Sequence, residues 1–359
     1  AALWEREAAE RATQPGETGA PGGAEPSPPP PPPLMRFALI RLDSHEHRLI
    51  LTAHHILLDG WSLPVLVREL MTLYGEAVRS GSAGAATAHT ATSLPRPTPY
   101  RDYLAFVAAQ DRAAGLAAWR EALAGLEEPT YLAPRERART PALPEQVALV
   151  LSEDLTAALT RQARTQGLTL NSIVQAAWAI LLGRLTGRDD VVFGVTVAGR
   201  PAEIAGIETM VGLFINTLPL RVELSPGKPL MALIRDVQER QSRLMAHQHL
   251  GLAEIQNIAG LGELFDTLTV FENYPVDDLA AETQDNGQGN CQGLRVAGIT
   301  GNDATHYPLS LVAAPGERLR LRLDYRADLF NRETVETIAQ RLERLLSAAA
   351  AEPDRAIGS

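Results

Sequence analysis

A chain of 359 residues with 45% hydrophobic side chains can bury a sizeable core, and its length favours two domains or lobes. A formal net charge of -10, with no basic run and no RNP-like aromatic cluster, argues against a nucleic-acid binder. The single cysteine, Cys291, excludes a disulfide framework and a thiolate metal site and suits a cytoplasmic protein, and no apolar run approaches the ~20 residues that a bilayer span needs.

Ala1 to Arg11 reads as a short helix, and the Gly-, Ala- and Pro-rich stretch Ala12 to Pro33 as a linker ending in a proline run. Leu34 to Leu42 alternates as a strand, and the polar turn Asp43 to His47 leads into a second strand, Arg48 to Ile56, expected to be buried on at least one face. Ser62 then reads as an N-cap with Pro64 in the first turn. Leu63, Leu66, Val67, Leu70, Leu73 and Tyr74 recur at helical spacing behind it. After a loop from Ser80 to Pro99, a helix carries Leu104, Val107, Leu116, Trp119 and Leu123. Leu126 to Pro144 reads as a crossing between lobes.

The second half is expected to contain a strand near Val147 to Leu151 and a helix capped by Ser152. A buried helix from Leu170 to Leu185 and a β-branched strand from Val191 to Val197 follow. Leu230 to His249 reads as a long amphipathic helix, Phe265 to Pro275 as a strand, Ser310 to Tyr325 as further strands, and Thr334 to Ala348 as a closing helix. Gly287, Gly289 and Gly293 do not spell a dinucleotide fingerprint. Ala349 to Ser359 reads as a linker.

The segment His54-His55-Ile56-Leu57-Leu58-Asp59-Gly60-Trp61-Ser62 is where titratable side chains interrupt an apolar run. Successive strand side chains point to opposite faces, so only one of His54 and His55 is expected in a cleft, the other packed or hydrogen-bonded inside. Asp59 and Gly60 suit a turn. Two readings stay open from the residues alone: a buried histidine pair beside a turn, or an imidazole base positioned by a carboxylate. Metal binding is disfavoured, because adjacent strand histidines diverge and there is no HExxH.

That segment resembles the HHxxxDG signature of nonribosomal peptide synthetase condensation domains. Five further segments resemble the same family in its order: Pro33-Leu34-Met35-Arg36, Tyr100-Arg101-Asp102-Tyr103, Val211 to Arg221 (GxFxNTxPxR), His247-Gln248-His249 and Phe271-Glu272-Asn273-Tyr274-Pro275. The family's first two motifs are absent before Leu34, so the N-terminal lobe is expected to be incomplete. The resemblance implies an α/β fold of two chloramphenicol-acetyltransferase-like lobes in a V around a central tunnel. The expected boundaries are a partial segment at 1–33, the remainder of the N-terminal lobe at 34–126, the C-terminal lobe at 127–348 and a linker at 349–359.

It also implies amide-bond formation between two thioesters, with no bound cofactor and no metal. The 4'-phosphopantetheine arms of upstream and downstream carrier domains would deliver both substrates, beside an adjacent adenylation domain. His55, Asp59 and Gly60 are the implied catalytic set, within which Asp59 is structural and paired with Arg200. His54, Trp61 and Arg200 support the site, and Asn216, Asn273 and Ser62 line the substrate tunnel. Two alternatives accompany this reading. An epimerization domain shares HHxxxDG, but its glutamate-bearing EGHGR-like segment here reads Val197-Ala198-Gly199-Arg200-Pro201. The other is a non-catalytic carrier-docking or recruitment domain.

Overall fold

A computed structural model describes residues 33–79, 94–133, 144–272, 294, 296–298, 300–301 and 305–358. These fall into two compact units that divide between Ala53 and His54, instead of near residue 126. The reason lies in the packing of the segment after His54. Trp119 and Leu123 belong to the same core as the later sheet, and Trp119 Nε1 donates to the His247 carbonyl at 3.2 Å.

The first unit is an antiparallel hairpin of β1 (Met35–Arg41) and β2 (His47–Ala53), paired from Met35 opposite Ala53 to Arg41 opposite His47. Its turn is built by Asp43, whose carboxylate accepts from the backbone N–H groups of His45 at 2.6 Å and Glu46 at 2.7 Å. The two strands follow the expected pattern but not the expected burial. Phe37, Leu39, Leu49 and Ile50 are exposed, because a two-stranded ribbon supplies no second layer of its own.

The second unit is organised on a six-stranded mixed sheet. Its strands are β3 (Glu145–Val150), β4 (Asp190–Val197), β5 (Asn216–Glu223), β6 (Thr267–Phe271), β7 (Leu309–Ala314) and β8 (Arg320–Tyr325). They run in the order β3-β8-β7-β6-β4-β5, with β4, β6 and β7 parallel and the remaining pairs antiparallel. The helices are α1 (Ser62–Arg79), α2 (Tyr100–Ala108), α3 (Arg112–Ala122), α4 (Glu153–Thr165), α5 (Leu170–Thr186), α6 (Leu230–Met245), α7 (Leu252–Ala259) and α8 (Arg332–Ala351).

Sequence pattern explains where each element lies. β4 is apolar almost throughout and buried along most of its length, as an interior strand between parallel β6 and antiparallel β5 that is covered on both faces should be. β8 alternates, with Leu321, Leu323 and Tyr325 buried while Arg322 and Asp324 pair on the other face. α5 is apolar all round, and every residue from Ser172 to Gly183 is buried between α6, α8 and β4. Ser152 caps α4 as expected, its hydroxyl accepting from Leu155 N at 3.2 Å.

Phe193, fully buried in β4, is a test of this core. Phe193→Ala is expected to lower the unfolding free energy by about 3–5 kcal/mol, read as a fall in the denaturant midpoint at unchanged slope.

Two segments read as connections are held by the fold. Of the crossing from Leu126 to Pro144, the described part is woven into the unit. Thr130 bridges Phe265, its hydroxyl accepts from Val192 N at 2.9 Å, and the buried Asp266 carboxylate accepts from Ala133 N at 2.8 Å. The expected linker after Ala348 continues α8 to Ala351 and then returns to the start of α6. There the Arg355 and Pro353 carbonyls accept from the first-turn N–H groups of Leu230 at 2.9 Å and Met231 at 3.1 Å. Because those donors have no partner within their own helix, the tail is anchored where a free linker was expected.

Among the described residues no single helix is long and apolar enough to cross a membrane. The pair α4 and α5 meets that measure only together, with a bend of 107° between them.

Candidate functional site

β2 stops at Ala53, and the residues from His54 form a turn in which Leu57 N donates to the His54 carbonyl at 3.0 Å. The His54 Nδ1 atom accepts from Ile56 N at 3.1 Å, so this imidazole closes the turn that ends the strand. The opposite-face argument therefore does not apply. Both His54 and His55 are exposed, and neither is packed inside. His55 stands in the middle of the turn, with Gly60 completing the approach to α1.

The frame of this loop is Asp59, which has no exposed surface. Its Oδ1 atom accepts from Ser62 N at 3.0 Å, from the Ser62 hydroxyl at 2.8 Å and from Arg200 Nη2 at 3.0 Å. Its Oδ2 atom accepts from Phe214 N at 3.1 Å, and its own N–H donates to the Gly212 carbonyl at 3.0 Å. One carboxylate thus caps the start of α1 and binds a segment about 150 residues away in sequence. A group so enclosed cannot touch a substrate, so Asp59 leaves the catalytic set and becomes its support.

Arg200 is the counter-charge. Its side chain is 6% exposed, and its Nη1 atom donates to the Ile207 carbonyl at 2.6 Å and the Met210 carbonyl at 2.9 Å. The guanidinium lies 4.0 Å from the centre of the Phe214 ring and 5.8 Å from that of Trp61. Burial pulls its pKa below the ordinary range, while the adjacent Asp59 carboxylate opposes that fall and keeps it cationic. Trp61 Nε1 donates to the Glu208 carbonyl at 3.0 Å.

Tyr100 and Tyr103 pack edge-on against Phe214 at 5.1 and 4.7 Å, and the Tyr100 hydroxyl donates to the Leu213 carbonyl. Desolvation raises both phenol pKa values, so both remain neutral. Two glycines are required here. Gly199 has φ +60°, and a Cβ on it would fall 1.8 Å from the Phe214 carbonyl oxygen. A Cβ on Gly212 would fall 2.4 Å from the Tyr100 ring.

Several sequence assignments change. Ser62 does not cap its own helix; Asp59 does, three residues earlier. Nor does Ser62 line a tunnel, since it is fully buried among Asp59, Arg200 and Gly212. Asn216 spends its amide on backbone: Nδ2 donates to the Gln248 carbonyl at 2.8 Å and the Leu250 carbonyl at 2.7 Å, and Oδ1 accepts from Thr217 N at 2.8 Å. It ties β5 to the turn between α6 and α7. Asn273 lies outside the described residues, as do Cys291, Gly287, Gly289 and Gly293. The structure thus unites Asp59, Ser62, Trp61 and Arg200. The aromatic surround of Tyr100, Tyr103 and Phe214, and the role of Gly212, were missed. Their signal was the i, i+3 spacing of the two tyrosines and the glycine two residues before Phe214.

Comparison with known proteins places this geometry. The profile described as "Condensation domain" matches residues 31–359. Chondramide synthase cmdD of Chondromyces crocatus is 38% identical over 331 residues, which are 90% of this chain and 8% of that protein. Tyrocidine synthase 2 of Brevibacillus parabrevis is 33% identical over 319 residues, 88% of this chain and 9% of that protein. The chain therefore spans only a small part of the length of these relatives. Among solved structures, the first condensation domain of the calcium-dependent antibiotic synthetase, in complex with a substrate analogue, superposes with a TM-score of 0.67. It is 25% identical, over 91% of this chain and 72% of that one. The X-domain of teicoplanin biosynthesis, in its complex with OxyB, superposes with a TM-score of 0.71 at 26% identity, over 91% and 72% of the two chains.

Proposed function

Since this chain belongs to the condensation-domain family of nonribosomal peptide synthetases, we propose that it joins a donor acyl or peptidyl thioester to the amine of an acceptor aminoacyl thioester. Both substrates ride on phosphopantetheine arms of carrier domains, beside an adenylation domain, in a cytoplasmic assembly line. The acceptor nitrogen attacks the donor carbonyl, the donor thiolate leaves, and the lengthened chain remains on the acceptor arm.

The observation that supports this reading most strongly is the exposed His55 in a turn whose following residues are fixed by a fully buried carboxylate. His55 takes a proton from the attacking amine or stabilises the charged tetrahedral species. An α-amino group titrates near ~7.7–8.0, so much of it is neutral at working pH, and positioning by His55 supplies part of the effect. Gly60 keeps the turn open beside it. No metal or resident cofactor enters this scheme.

A second reading, recruitment of a partner protein, draws on the superposition with the X-domain solved in complex with OxyB. The deciding experiment supplies the natural, full-length protein with loaded donor and acceptor carriers and follows the acceptor carrier by intact mass. A mass increase equal to the donor acyl group supports condensation. Binding of carrier without transfer supports recruitment. Exchange of the α-proton with solvent and no new amide bond indicates epimerization.

A further inference from the structure

The least expected feature of the site is how completely the Ser62 hydroxyl is used. A hydroxyl offers one proton and two acceptor positions. Here Gly212 N donates to Ser62 Oγ at 3.1 Å and Arg200 Nη2 donates to it at 3.2 Å, which fills both acceptor positions. The proton has two candidates, Asp59 Oδ1 at 2.8 Å and the Gly212 carbonyl at 2.9 Å. The carboxylate is the stronger acceptor, and the Gly212 carbonyl already receives Asp59 N at 3.0 Å. Every capacity of the hydroxyl is thus spent, and neither Ser62 nor its partner Asp59 has any exposed surface.

These bonds join two segments far apart in sequence, the turn that carries His55 and the stretch from Met210 to Phe214. Asp59 contributes to the same junction, but its removal also strands the Arg200 charge. Ser62 joins the segments without carrying charge. We propose that Ser62 is a positioning residue for the reaction: its hydroxyl fixes the His54–Trp61 turn against Gly212, and through that holds His55 where the acceptor amine arrives. This rests on the condensation reading above.

The test is a kinetic double-mutant cycle in the natural, full-length protein with loaded carriers, comparing wild type, Ser62→Ala, His55→Ala and the double variant. Ser62→Ala is expected to lower the rate of dipeptidyl-carrier formation by about 10- to 100-fold with the KM for acceptor carrier within about twofold, because small misplacement of a reacting group has effects of that size. In the His55→Ala background the same substitution is expected to change the rate by less than about twofold.

Equal effects of Ser62→Ala in both backgrounds would show that the serine supports only the fold and would overturn the proposal while leaving the condensation reading in place. Dipeptidyl carrier formed by His55→Ala as fast as by wild type would overturn the proposal while leaving condensation in place, and no dipeptidyl carrier from wild type would overturn the condensation reading and the proposal with it. Ser62→Cys keeps the shape of the side chain, with a somewhat larger sulfur that hydrogen-bonds weakly, so it carries the same cycle if the alanine variant does not fold.

Discussion

Asp59→Ala is expected to destabilise the protein by about 3–5 kcal/mol, the usual consequence of removing one member of a buried ion pair. Four hydrogen bonds to its carboxylate disappear, and Arg200, with a 6% exposed side chain, is left without its counter-charge. The large effect is in the stranded partner more than in the lost attraction. Asp59→Asn is expected to be damaging too, although it is nearly isosteric. Ser62 and Arg200 donate to Oδ1 while Phe214 N donates to Oδ2, so an amide must turn its own N–H groups towards one of these donors. The double substitution Asp59→Ala with Arg200→Met should recover part of the loss, since the cation is removed with its partner. Chemical denaturation of wild type and these three variants measures this directly. Equal midpoints for wild type and Asp59→Ala would show that the pair does not hold the loop.

Most of the second unit was legible in the sequence because its elements are long and consistently patterned. The run from Leu170 to Leu185 is too apolar to be anything but buried, and Val191 to Val197 has the β-branched character of a covered strand. The HHxxxDG segment was legible as a motif, and the pairing of Asp59 with Arg200 followed from the resemblance. What the sequence hid was local. Ile56, Leu57 and Leu58 continue an apolar pattern, so the strand seemed to reach Ile56, whereas His54 binds the backbone two and three residues on and ends it at Ala53.

Long-range geometry was hidden as well. Ser62 has the composition of a helix cap, and only contact with Gly212 and Arg200 shows that its hydroxyl is spent elsewhere. Likewise, polar Asn216 in an apolar strand suggested a substrate surface, but the carbonyls of Gln248 and Leu250 account for it. The tail after Ala348 has the composition of a linker, and its role comes from the first-turn N–H groups of α6 that it satisfies.

His55→Ala is expected to lower the rate of amide formation by about 100- to 10,000-fold, the range for loss of a positioned acid–base group. The lower end applies if the imidazole chiefly holds the amine, because the nucleophile is already neutral in part at its ordinary pKa. The effect on stability should be small beside that of Asp59→Ala, since His55 is exposed and the frame of the loop runs through Asp59, Ser62 and Arg200. The two substitutions therefore separate cleanly: Asp59→Ala acts on the fold, His55→Ala on turnover. The most direct measurement is single-turnover formation of the dipeptidyl carrier by intact mass, for wild type and His55→Ala, alongside the thermal unfolding of both. Chemistry at His55 predicts loss of product from a mutant that unfolds near the wild-type temperature. Product at the wild-type rate from that mutant would contradict it.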